Sequence, residues 1–152
     1  MKAIGIFVVL LLIALGVATF IVTREPSREL DAQGRTWVSG YSTWHDEISR
    51  PLASAVATTG GSSGAGLNAK QIELLRACAP SLAQLGSPPG LLGAVAEDAN
   101  AACGQIELAL SIDEEYGGSG RATTWDHFRR AESLLAVSET NLRKLTARAS
   151  GS

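Results

Sequence analysis

The sequence predicts an all-α protein: an N-terminal transmembrane helix, then a four-helix up-down bundle whose first helix is kinked at Pro51 and whose second and third helices share one disulfide. Three observations predict this. Residues 3–22 carry no charged side chain. Beyond residue 36, apolar residues recur at steps of three and four, and no strand-like alternation is sustained. Glycine-rich or proline-rich breaks at 60–66, 86–90 and 117–120 divide this region into four segments.

The run "AIGIFVVLLLIALGVATFIV", Ala3 to Val22, lies between Lys2 and Arg24. As a helix it spans roughly 30 Å, the thickness of a hydrocarbon core. A cleaved secretory signal is the competing reading, but it needs a shorter apolar stretch and a small-x-small site, which "FIVTREPS" does not offer. Residues 1–23 are therefore read as an uncleaved single-pass anchor, with the membrane as partner through residues 3–22. Residues 24–35 form a polar connector, 36–149 the helical domain and 150–152 a tail.

In the first segment Trp37, Tyr41, Trp44, Ile48, Leu52, Ala55 and Thr59 fall on one helical face. Pro51 lacks the N–H that a helix interior needs and is expected to kink this helix or split it near Arg50. The second segment starts near Asn68, a good cap, and turns Ile72, Leu75, Cys78 or Ala79, Leu82 and Leu85 inward until "GSPPG". The third runs from about Leu92 to Tyr116, with Val95, Ala99, Ala102 or Cys103, Ile106 and Leu110 on its apolar face. The fourth is expected to begin at Thr124 as N-cap and to reach about Arg148, its stripe comprising Phe128, Ala131, Leu135, Ser138, Leu142 and Leu145. Short connections between such segments favour an up-down bundle.

Cys78 and Cys103 are the only two cysteines, each twelve residues from the Gly90–Leu91 midpoint of the intervening turn. An antiparallel hairpin sets them opposite one another, within reach of a disulfide. The alternatives are two buried thiols, or a zinc site that two isolated cysteines without nearby His cannot complete. A disulfide implies an oxidising compartment, so the domain is expected outside the cytoplasm. The positive-inside count opposes this, because Arg24, Arg28 and Arg35 follow the apolar run while Lys2 alone precedes it. Secretion after cleavage and a cytoplasm-facing domain are the alternative placements.

A net charge of −2 and the lack of a basic cluster argue against nucleic-acid binding. Ten Arg against three Lys, with abundant Ala and Gly, fit a GC-rich bacterial gene. Between Arg76 and Arg121 stand six acids and no base, whereas residues from Arg121 onward carry +3. These stretches are expected to attract one another as neighbouring helices; the sharper alternative is an acidic face for a partner. Asp113, Glu114 and Glu115 oppose the dipole at a helix C-terminus, and contact with Arg121 or Arg129 is expected to relieve them.

"STWHDE" at 42–47 and "TTWDHF" at 123–128 hold both histidines, His45 and His127. Converging with Asp46, Glu47 or Asp126, they could hold a divalent metal, but neither stretch has the i, i+3 or i, i+4 ligand spacing that sets donors on one face. The reading adopted is core and cap: Thr124 the cap, Asp126 in the first turn, Trp125 the start of the packing stripe, with no metal and no cofactor expected. "GGSSG" at 60–64 matches G-x-S-x-G, yet Ser62 follows helical residues rather than a strand. The acids of 113–115 lack the alternation of a calcium loop. The expected function is thus non-catalytic: an interaction, scaffold or accessory protein of the cell envelope, with a protein partner there. The alternatives are a sensor or small-ligand module with a cavity at Trp37, Tyr41 and Trp44, and a metal-dependent enzyme using His45 and His127.

Overall fold

The computed structural model describes residues 30–61 and 66–150, and they form one helical bundle. No strand occurs among them. The apolar run 3–22 and Ser62 lie outside the described residues. No described helix is long and apolar enough to cross a membrane.

Helix α1 spans Ala32–Gly60. Its start lies inside the stretch that composition reads as connector, because the Asp31 side chain accepts the Gly34 N–H at 2.7 Å and caps the first turn. Leu30, just before the cap, packs against the core. The expected stripe from Trp37 to Thr59 is buried throughout. The helix does not split at Pro51: it runs on uninterrupted, with Pro51 itself buried. Ile48 and Leu52 are packed in the core on either side, so tertiary burial holds the turn in which one backbone hydrogen bond is missing.

The interruption falls instead in the second segment, which divides into α2, Ala69–Arg76, and α3, Cys78–Ala83, at Ala77. Pro80 explains it, since its ring crowds the carbonyl four residues back, that of Arg76, and offers that carbonyl no N–H. Asn68 caps α2 as expected and does so reciprocally: its side chain accepts from the Gln71 N–H, and the Gln71 side chain accepts from the Asn68 N–H, each at 2.9 Å. Gly86, at φ 75°, closes the segment in a conformation that side chains avoid.

A single 3-10 turn, Gly90–Leu92, leads into α4, Gly93–Tyr116. Val95, Ala99, Ala102, Cys103, Ile106 and Leu110 are buried, with Ala96 and Ala109 beside them, so this helix offers a smooth face to close neighbours. Gly117, at φ 51°, ends α4 and opens the 3-10 turn Gly117–Gly120, which passes directly into α5, Arg121–Ser150. Thr124 is therefore not the cap. It is the fourth residue of α5, fully buried, and its hydroxyl donates to the Gly120 carbonyl. The stripe of α5 begins with Thr124 and continues through Phe128, Ala131, Leu135, Ser138 and Leu142, all buried. Trp125 stands one position off this stripe, 38 % exposed, and does not start the packing as expected.

Cross-contacts show that neighbouring segments run antiparallel. Residues early in α1 meet residues late in α5, as Tyr41 meets Ser138, and the end of α1 at Gly60 lies against Trp125. Residues late in α1 meet the start of α2, Ser54 accepting from Gln71 at 2.7 Å, and Trp44 donates to the Cys78 carbonyl at 3.1 Å. Between α4 and α5 the rungs are Asp98 with Asn141 and Gln105 with His127. The disulfide joins Cys78 at the start of α3 to Cys103 in α4, their Cα atoms 5.5 Å apart.

Candidate functional site

Trp37, Tyr41 and Trp44 are packed into the core. Their relative exposures are 5 %, 0 % and 3 %, and their rings pack in series along α1, Trp37 and Tyr41 stacked at 5.2 Å and Tyr41 and Trp44 tilted at 5.3 Å. Two of the three polar edges are fully engaged. Ser138 donates its one hydroxyl proton to the Val95 carbonyl at 2.9 Å, so in the Tyr41–Ser138 bond Tyr41 is the donor. This chain of bonds ties α1 to α5 and α5 to α4 through the centre of the bundle. Trp44 is held by its bond to the Cys78 carbonyl. Trp37 differs: its indole N–H is the one buried side-chain polar group among the described residues without a hydrogen-bond partner. Trp37 also edges an open recess of about 560 Å³, shared with Gln33, Thr36, Gln84 and Ser87.

The histidines are not brought together. His45, half-buried on α1, has its polar neighbours on its own helix, Ser49 at 3.4 Å and Asp46 at 3.9 Å, and lies beside the Tyr41 ring. His127 on α5 turns to α4, where Nδ1 meets the Gln105 side-chain oxygen at 2.8 Å; in the neutral ring Nδ1 thus carries the proton. Among the described residues no three His, Cys, Asp or Glu side chains gather as metal ligands. Asp126 pairs with Arg130 one turn on. The segment before "GGSSG" is α1, so the strand that a nucleophile elbow requires is replaced by a helix.

The charges settle differently from the expectation of attraction between the third and fourth segments. Arg129, Arg130 and Arg143 pair with Glu132, Asp126 and Glu139 of their own helix α5. Arg129 also lies over the Trp125 ring, 5.8 Å from its centroid. Of the acids near the end of α4, Glu114 is paired across to Arg76 of α2 at 2.9 Å, not to Arg121 or Arg129. Glu97, Glu107, Asp113 and Glu115 have no ion-pair partner among the described residues.

Several of these acids border a feature that the sequence did not indicate. Along the seam between α2–α3 and α4 runs an open groove, about 510 Å³ at its α3 end, where Leu75, Pro80, Cys103 and Glu107 contribute. It continues into a recess of about 490 Å³ lined by Ile72, Glu73 and Asp113; Arg76, Leu110 and Glu114 belong to both. The groove arises where two short helices, α2 and α3, lie against a long α4 whose groove-lining positions include the small Ser111. Its only forerunner in the sequence is the acidic stretch without a basic residue.

No protein-family model, curated protein or solved structure matches this chain.

Proposed function

We propose that the protein is a membrane-tethered interaction module: an anchor helix at residues 3–22 carrying an up-down four-helix domain outside the cytoplasm, which acts as a non-catalytic scaffold or accessory subunit of a bacterial cell envelope. The Cys78–Cys103 disulfide is the observation that carries this reading, because such bonds persist in oxidising compartments. The apolar run preceding the domain supplies the tether. The large aromatic residues of α1 are taken up in packing, and the charged side chains are dispersed over exposed or half-buried positions, an arrangement suited to binding surfaces more than to a reaction centre.

The test is intact-mass thiol alkylation of protein extracted from its native membranes. The reading expects Cys78 and Cys103 to label only after reduction, on a chain whose mass retains residues 1–22. Immediate labelling without reductant would place the domain in the cytoplasm, and a mass lacking the apolar run would make the protein secreted.

A second reading is favoured by Trp37. Its unpartnered indole N–H beside the recess formed with Gln33, Thr36, Gln84 and Ser87 suits a small neutral ligand with hydrogen-bond acceptors. Quenching or shifting of tryptophan emission by such a ligand, abolished in Trp37→Phe, is the outcome expected of it.

A further inference from the structure

We infer that the groove between α2–α3 and α4 is the docking site of a cationic, amphipathic helical segment supplied by a different polypeptide. The inference rests on the interaction reading above and gives it a place on the molecule. Three properties of the groove define the occupant.

The first is shape. From Ala69 to Pro80 on one wall, and from Cys103 to Glu114 on the other, the groove follows twelve residues, eleven helical steps. At the helical rise this is about 16 Å from either side, room for about three turns of a helix. The second is the floor. Leu75, Cys78, Cys103 and Leu110 close its bottom, the disulfide fixes the two walls at this depth, and half-buried Ile72 with exposed Ala69, Ala79 and Pro80 supply the accessible apolar surface. An occupant must therefore present apolar side chains along one face, at the i, i+4, i+7 spacing of groove-bound helices. The third is charge. The rims carry Glu73, Glu107, Asp113 and Glu114 against the single base Arg76. Among the described residues Glu114 alone of these acids is paired, through the exposed Arg76 contact that crosses the groove. An incoming Arg or Lys finds unpaired carboxylates on both walls and can replace Arg76 at Glu114.

Neither residues 23–29 nor helix α5 fits this description. Residues 23–29, Thr-Arg-Glu-Pro-Ser-Arg-Glu, balance two bases with two acids and have no large apolar side chain. The basic helix α5 uses Leu135 and Leu142 in the core and holds Arg129, Arg130 and Arg143 in pairs along its own surface. The complementary surface is accordingly assigned to another protein.

The test uses the full-length chain in detergent micelles and two fluorescent 12-residue peptides of identical composition. One sets Leu at i, i+4 and i+7 with four Arg flanking them; the other is a scramble without a continuous apolar face. The expectation is binding of the amphipathic peptide at least tenfold tighter than the scramble, weakened on the order of tenfold between 50 and 500 mM salt. The triple variant Glu107→Gln, Asp113→Asn, Glu114→Gln should lose at least tenfold in affinity. Ser111→Arg, which sets a base in the groove, should lose as much; Glu107, Ser111 and Glu114 are exposed on α4 and Asp113 is half-buried there, and an unchanged helical circular-dichroism spectrum verifies the fold. Equal binding of both peptides, or full binding by the variants, overturns the groove as the site. So does a salt-sensitive dimer of this chain that the triple variant dissociates, because a second copy is then the occupant. Photo-crosslinking in native membranes separates the two readings: a partner captured from Trp125 or Val137 on α5, but not from Ser111, refutes the groove and leaves the interaction role intact.

Discussion

Burial holds the Tyr41 hydroxyl above its ordinary ionisation near pH 10; the bond to Ser138 acts in the opposite sense, and Glu139 and Asp98 add to the rise. A group whose folded pKa is raised contributes its full stability below the unfolded value and loses it as pH rises through the folded one. Unfolding by urea should thus become easier from about pH 10 upward. Tyr41→Phe should cost about 1 kcal/mol at neutral pH, through the lost bond to Ser138, and should flatten this alkaline decline. Equal alkaline slopes for the two proteins would show that Tyr41 is not the titrating group. Residue roles of this kind were only partly readable in advance. The stripe of Trp37, Tyr41 and Trp44 was evident from spacing, but the pairing of Tyr41 with Ser138, 97 positions later, depends on how α1 lies against α5. Trp125 departs from the expected stripe for a related reason. It sits in an aromatic-looking context, yet the helix starts at Arg121 and its register turns Thr124, not Trp125, inward.

At the scale of elements, the turn between α4 and α5 makes a sharp contrast between neighbouring glycines. A Cβ on Gly120 would lie 2.9 Å from both the Ile112 and Tyr116 side chains, whereas one on Gly118 would meet nothing within 4 Å. Gly120→Ala should destabilise the fold by about 1–3 kcal/mol, and Gly118→Ala should leave it within about 0.5 kcal/mol of the parent in the same denaturation assay. At the start of α2, Asn68→Ala removes one half of the reciprocal cap and should cost about 1 kcal/mol. A null effect there would mean that packing of Leu75 alone fixes the helix start. The two prolines show why element breaks were harder to read than elements. Pro51 lies between core residues of a 29-residue helix, and packing on both sides carries the chain through. Pro80 lies in a short segment with fewer buried neighbours, so the backbone yields at Ala77.

For the whole molecule, the disulfide spans 25 residues and joins the two short helices to the long α4. Replacing Cys78 and Cys103 with Ser should cost about 3.5 kcal/mol, read as a shift in the urea midpoint without loss of α1 and α5 pairing. It should also loosen the groove walls and weaken the amphipathic peptide more than tenfold, while leaving the Tyr41–Ser138 network in place. Unchanged peptide affinity in that variant would separate the groove from the staple.

The chain by itself determined the helical class, the inward faces of α1, α4 and most of α5, the cap at Asn68 and the pairing of Cys78 with Cys103. These follow from local periodicity, cap chemistry and equal spacing about a turn, all properties of residues close in sequence. Only the tertiary structure decided that α1 survives Pro51, that Glu114 reaches Arg76, that the two histidines keep to separate neighbours, and that a groove with acidic rims opens beside the disulfide. Those outcomes depend on which helices become neighbours and in what register, and long-range packing fixes both, overriding weak local preferences wherever enough apolar surface is buried.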